Sequence, residues 1–264
     1  MGNFLIMTQY QIKLLFRNFK SLILGFSLPI VMFFIFGNLL SKYQVYGDVG
    51  LTSLLVPAYI PIIIINGVLV IYGQNFLVYK EQGNLIKYKL LGLKQITISA
   101  SIYLATLVFQ ILAVFVLIIF AYFTKGVEFP FDQIGSLIGT FVLINILEYS
   151  IAFLLTSVIN KSVTYQSISL LIFYFQIFLG GLTFPPEMFP KFLKEIVYIF
   201  NPIIYGLEMM RDIWMGNKSF FDEGKNISIL LLWSLFFFIL GFFFSKNNIT
   251  KKKSSKRERV RLNI

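Results

Sequence analysis

Six stretches of this chain each run for about twenty residues with hardly a charge, and that limits what it can fold into. They are 21–41, 49–79, 95–124, 133–160, 162–186 and 226–245, and only the fourth carries an Asp, Glu, Lys or Arg inside it, Glu148. A hydrocarbon layer about 30 Å thick is crossed by roughly 20 apolar residues in a helix. With every backbone hydrogen bond made inside the segment, the helix is also the conformation lipid tolerates. Trimmed to spanning length, the windows predict helices at about 21–41, 54–76, 98–123, 134–158, 162–184 and 227–245. The expected fold is therefore an all-α integral membrane bundle over residues 1–246, followed by a basic tail, 247–264. A cleaved signal peptide is not expected at the start, because the first apolar run has full spanning length and ends in Gly37-Asn38-Leu39-Leu40-Ser41.

Composition excludes the soluble reading. Asp, Glu, Lys and Arg make up 13% of the chain and hydrophobic residues 57%, where a soluble domain carries about 25% charged residues. Cysteine and histidine are both absent. That removes disulfides, thiolate metal sites, His-ligated metals and Ser-His-Asp chemistry.

The net charge of +11 is distributed unevenly. With both termini inside, the cytoplasmic segments hold sixteen of the 23 Lys and Arg, eight of them between Lys246 and Arg261. Nine of the twelve acids then fall outside. This asymmetry fits the positive-inside rule and predicts a multi-pass protein of the cell membrane, bacterial by its Lys-, Asn-, Ile- and Phe-rich composition. The tail KNNITKKKSSKRERVRLNI reads as a topogenic segment facing anionic lipid. Nucleic acid is not the expected partner, since no aromatic residues interleave with these charges.

Three segments are neither spans nor simple loops. From Phe4 to Lys20, Phe4, Ile6, Met7, Tyr10, Leu14 and Phe16 alternate at helical spacing with Gln9, Lys13, Arg17 and Lys20, predicting an amphipathic interfacial helix. From Tyr79 to Gln95, Gly83 and Gly92 bracket a short basic helix on the cytoplasmic side, long and amphipathic enough to dock a partner. From Gly180 to Lys218, Met188, Phe189, Phe192, Leu193, Ile196, Val197 and Phe200 mark a helix after Pro185-Pro186. Pro202 ends it, and a second short helix, from Ile203 to about Met215, follows. The pair is expected to be re-entrant or interfacial and to cap the outer end of the bundle.

In this order, the amphipathic start, SLILGFSLPIVMFFIFG with Pro29, the Glu81-Gln82-Gly83 element after span two, and GGLTFPPEMFPKFLKEIVYIFNPIIYGLEMMRD after span five resemble the permease subunit of an ABC-2 type transporter. The resemblance covers about Phe4 to Phe244. It departs at Asn84, where the family more often has Thr. It implies a six-helix bundle paired with a second copy or a close relative. It also implies that Glu81, Gln82, Gly83, Asn84 and Lys87 belong to a coupling helix seated on an ABC ATPase subunit, and that an extracellular gate region includes Pro185, Pro186, Asn201, Pro202, Tyr205 and Arg211. The cargo of such exporters is a drug, peptide, lipid or glycan carrier.

The chain has no G-x-x-x-x-G-K-[ST] phosphate loop; Gly224-Lys225-Asn226 lacks the first glycine and the hydroxyl. ATP and Mg are thus expected on the partner subunit, with no cofactor or metal held here and no catalytic residue. Within the spans, Glu148 stands out, because an acid at a helix centre costs about 2.5–3.5 kcal/mol on insertion scales. It is a candidate for the translocation path together with Asn66, Asn75, Gln166 and Tyr174. Its competing role is a structural hydrogen bond to Asn145, Gln110 or span two. Two other functions remain open at this level: an ion-gradient transporter using Glu148, though no internal repeat supports it, and a non-transporting immunity or sensor partner. An intramembrane enzyme is disfavoured by the missing His and Cys.

Overall fold

A computed structural model describes residues 2–39, 44–46, 49–181 and 189–262. Among the described residues the regular structure is helical apart from a two-stranded ribbon, β1 (Gln44–Tyr46) with β2 (Val49–Gly50). Helix α1 (Gly2–Arg17) turns at Asn18 into α2 (Phe19–Leu39). After the ribbon comes α3 (Leu51–Ile65), which passes through a π-helical segment, Asn66–Tyr72, into α4 (Gly73–Glu81). Short α5 (Asn84–Leu90) leads to α6 (Gln95–Lys125), α7 (Ile134–Val158) and α8 (Ser162–Leu179). Two short helices, α9 (Lys191–Phe200) and α10 (Ile203–Trp214), precede α11 (Gly224–Leu262).

Five helical stretches among the described residues are long and apolar enough to cross a membrane: Ser53–Glu81, Gln95–Lys125, Phe131–Val158, Ser162–Leu179 and Phe220–Lys246. The 21 residues of α2 extend over about 31 Å at 1.5 Å per residue, which makes α2 the sixth spanning candidate. The α3–α4 stretch is the axis of the bundle: 83% of its most apolar window is buried, against 17% for α11. Its sequence accounts for this position. Ile62, Ile63, Ile64, Ile65, Val68 and Leu69, interrupted only by Asn66 and Gly67, carry no charge and are all fully buried. A helix that is hydrophobic all round has no side for water.

Around this axis, α6 and α7 each pack on α3 and the π segment, and α11 lies along α7. Gly241 of α11 sits so close to α7 that a Cβ there would come within 2.6 Å of the Phe153 ring. Helix α10 plugs one end of the bundle, with Ile203, Ile204, Leu207, Met209, Met210 and Ile213 buried against α3 and α7. Small Gly206 lets it approach Ile144.

Some details differ from the sequence reading. In α1 the buried stripe is Met7, Gln11 and Leu15, spaced four apart, and it packs on α6. Ile6, Tyr10 and Phe16, part of the apolar set expected to lie at the membrane interface, are largely exposed. Helix α1 lies against protein along that narrow i, i+4 line, with Gln11 donating to the Tyr79 hydroxyl at 3.1 Å, and beside it Phe16 makes a tilted ring contact with Phe109 at 4.8 Å. Helix α11 does not stop at residue 246; its backbone stays helical to Leu262.

Candidate functional site

The loop between α4 and α6 is built by two left-handed glycines. Gly83 has φ +72° and Gly92 φ +82°, a conformation that other residues adopt only with strain. They fold α5 out from the bundle as a separate short helix. Leu85 and Tyr88 pack back on the bundle, while Ile86, Leu90 and Leu91 turn outward, 66%, 84% and 73% exposed. Lys87 and Lys89 are exposed with them. Asn84, at the first position of α5, donates to the Gln82 carbonyl oxygen Oε1 at 3.1 Å. Beside this helix, Ile6, Met7, Tyr10, Tyr88, Leu91 and Leu93 line a shallow groove shared with α1. Burial, and then the neighbouring Tyr79, push the Tyr88 phenol up to about 12, so it stays neutral.

Glu81 does not project with α5. Its Oε2 accepts the backbone N–H of Ser162 at 2.8 Å, at the start of α8. Lys80 beside it donates to the carbonyls of Thr156 and Ile159, at 2.7 and 3.3 Å, at the end of α7.

Deeper in the bundle, Glu148 is fully buried, and its Oε1 accepts from Gln176 Nε2 of α8 at 2.9 Å. None of the partners considered for it from sequence supplies this bond. On a helix with 3.6 residues per turn, Asn145 lies on the same side, but its amide is engaged with the Phe141 carbonyl and the Tyr103 hydroxyl. Gln110 points at α3 instead, donating to the Ile64 carbonyl at 3.4 Å. Glu148 Oε2 and Gln176 Oε1 have no hydrogen-bond partner among the described residues. The other path candidates do not join this pair. Asn66 is buried at the head of the π segment and Asn75 is half-buried on α4, while Gln166 and Tyr174 face outward on α8. The structure thus divides the five between the bundle core and an exposed face of α8.

The π segment is where neighbouring helices approach most closely. A Cβ on Gly67 would stand 2.3 Å from Gln110 Nε2, and one on Gly73 would stand 1.7 Å from the Tyr165 hydroxyl. That hydroxyl donates to the Leu69 carbonyl at 2.7 Å, satisfying a group on the irregular turn. Next to it lies a polar aromatic cluster that the sequence reading missed. Tyr72 and Tyr149 both hydrogen-bond Ser99, at 2.7 and 3.1 Å, and Tyr103 donates to Asn145 at 3.2 Å. The signal was present as two i, i+4 polar pairs, Ser99/Tyr103 and Asn145/Tyr149.

At the opposite end, Pro185 and Pro186 lie outside the described residues. The remaining gate candidates come together. Pro202 starts α10, the Tyr205 hydroxyl donates to the Tyr198 carbonyl at 3.0 Å, and Arg211 donates to the Gly181 carbonyl at 3.2 Å. Asn201 is buried beside Gly180 with neither amide atom hydrogen-bonded among the described residues. Tyr198 also donates to Glu208, so α9 and α10 are tied by polar bonds. Lys218 bridges Asp212 and Glu223, both at 2.7 Å, joining the end of α10 to the start of α11. These bonds hold its ammonium pKa above the usual lysine range.

Between α6 and α7 a cavity of about 560 Å³ opens on the flank of the bundle. Its wall is apolar, including Ile111, Ile138 and Phe129, except for Tyr103 and Asn145. Among the described residues, no group of His, Cys, Asp and Glu is arranged to hold a metal.

Comparison with known proteins agrees with this geometry. The family model described as ABC-2 type transporter matches residues 2–215. No curated protein matches the chain.

Proposed function

Because the chain belongs to the ABC-2 type transporter family, whose members are membrane permeases paired with an ABC ATPase subunit, we propose that it is the permease of an exporter driven by ATP hydrolysis on a separate polypeptide. The observation that carries this reading is α5. Seven residues are folded away from the bundle between two left-handed glycines, and the helix presents Ile86 and Leu90 to the outside. An apolar patch rimmed by lysines has no reason to be held in water unless a partner covers it.

In this reading α5 and both chain ends are cytoplasmic, as the Lys and Arg asymmetry favours. A second copy, or a relative, faces the first across a central pathway. ATP closes the paired ATPase subunits, and α5 moves with them. The bundle then opens on the side of α9 and α10, where the polar ties of Tyr205 and Arg211 act as the outer gate. The cargo is amphipathic, of the drug, peptide, lipid or glycan-carrier kind; the apolar cavity floored by Tyr103 and Asn145 supports that class.

The test is copurification with the candidate ATPase, followed by vanadate-sensitive ATP hydrolysis. Wild type should assemble and alter the hydrolysis rate. Gly83→Pro should insert in the membrane but fail to couple, because proline cannot take a positive φ. If intact wild-type protein binds no ATPase, the exporter reading falls. Glu148 as an ion-coupled site is then the reading to examine. Assembly with no effect on hydrolysis by any cargo would favour a sensor or immunity role.

A further inference from the structure

The turn between α7 and α8 lacks the capping groups that helices usually draw from their own sequence. Helix α7 has no basic residue in its last turn and α8 no acidic residue in its first. Lys161, at the N-cap of α8, makes no side-chain cap bond. The orphan carbonyls of one helix and the orphan N–H groups of the next still need partners. They find them in two adjacent residues of α4. Lys80 donates to Thr156 O and Ile159 O, and Glu81 accepts from Ser162 N. Each charge also sits at the helix end where the dipole favours it, the cation at a C-terminus and the anion at an N-terminus.

This pair occupies the last two positions of α4, directly before the Gln82-Gly83 turn into α5. Any displacement of α5 therefore reaches the pair first. From Glu81 the bond passes to the first turn of α8. Three residues on along α8, Tyr165 bonds the π segment, and about four turns on lies Gln176 holding Glu148.

We infer that Lys80 and Glu81 are positioning residues, which clip the α7–α8 turn to the root of α5 so that movement of α5 is handed to α8. This rests on the exporter reading above and changes the part assigned to Glu81 within it. Glu81 acts inside the permease, by accepting a hydrogen bond at a helix end, rather than on the ATPase surface.

The two roles separate by chemistry. A cap needs an acceptor oxygen at that place, and Gln supplies one. A contact with a basic ATPase surface needs the charge, and Gln does not supply it. The experiment compares Glu81→Gln, Glu81→Ala, Lys80→Arg and Lys80→Met in the complex with the ATPase subunit. It measures copurification, permease-dependent ATP hydrolysis, and hydrogen exchange in the peptide spanning 159–170 with and without ATP and vanadate. All four variants should copurify like wild type. Glu81→Ala and Lys80→Met should lower the permease-dependent change in hydrolysis by about fivefold or more. In both, exchange at the start of α8 should stop responding to nucleotide. Glu81→Gln and Lys80→Arg should stay within about twofold of wild type.

Three results overturn the inference. Loss of copurification in both Glu81 variants would place Glu81 on the ATPase. Equal losses of coupling in Glu81→Gln and Glu81→Ala would remove the cap argument. Faster exchange in Glu81→Ala with hydrolysis and nucleotide response intact would leave the pair a purely structural cap. Failure of wild type to bind the ATPase is a different result, and it strikes the exporter reading itself.

Discussion

At the scale of single residues, Glu148 is the most instructive position. A carboxyl in a spanning helix was conspicuous in the sequence because it interrupts an otherwise uncharged window. Its partner was not, because Gln176 lies 28 positions away on another helix and several amides on several spans competed for the assignment. The bond between them predicts how substitutions behave together. Glu148→Leu should leave Gln176 Nε2 buried without an acceptor, at a cost of about 1–3 kcal/mol, seen as a lowered thermal midpoint of the detergent-purified protein. Glu148→Leu with Gln176→Leu removes both polar groups and should recover most of that loss, giving a clear coupling in a double-mutant cycle. Additive losses would mean that the two residues do not act as a pair. Once stability is recovered, a defect that persists in coupled ATP hydrolysis would have to belong to Glu148 in transport.

Among the elements, the axial stretch shows where close packing replaces ordinary helix geometry. Pro57 and Pro61 each remove an amide donor from α3, and the chain then widens into the π segment Asn66–Tyr72. Insertions of this kind are often found at functional positions. Gly73 is the one place on the segment's edge where Tyr165 can reach the Leu69 carbonyl. Gly73→Ala should therefore displace Tyr165 and cost about 1–3 kcal/mol by overpacking, measured as thermal stability or expression of inserted protein. Gly67→Ala should also be destabilising, because Nε2, Cγ and Cδ of buried Gln110 all stand within 2.8 Å of the added Cβ. Wild-type stability in either variant would contradict the packing at the π segment. Much at this scale was legible in the sequence. Charge-free windows located the long apolar helices, and Pro202 and the apolar spacing of Lys191–Phe200 located α9 and α10. The π segment was not legible, because one extra residue in a turn changes no composition and no hydrophobic pattern. Which residues of α1 meet protein was not legible for a related reason. Its apolar residues wrap most of the helix, and only contact with α6 selects Met7, Gln11 and Leu15.

For the whole molecule, two basic, partly apolar regions need different partners, and they can be told apart. One is α5 with its surroundings, where Ile86, Leu90 and Leu91 stand clear of the bundle between lysines. The other is the end of α11, whose sequence from Lys246 to Arg261 holds eight Lys and Arg and a single acid, Glu258. A protein cleft needs shape and desolvated apolar contact, so one buried charge there is severe. An anionic lipid surface needs summed charge, at about 1 kcal/mol per basic residue, and is indifferent to any one apolar side chain. Leu90→Asp should therefore abolish copurification with the ATPase. It should leave membrane insertion and thermal stability unchanged, since that side chain is 84% exposed in the permease alone. Replacing Lys251, Lys252 and Lys253 with Gln should have the converse pattern. The ATPase complex should persist. Binding of a synthetic peptide of residues 247–264 to vesicles containing phosphatidylserine should weaken by about 3 kcal/mol at low salt, with Lys256, Arg257, Arg259 and Arg261 keeping it above that to neutral vesicles. If the triple tail variant instead lost the ATPase while Leu90→Asp kept it, the docking surface would lie at the end of α11, and α5 would have to be explained as an element held at the membrane surface.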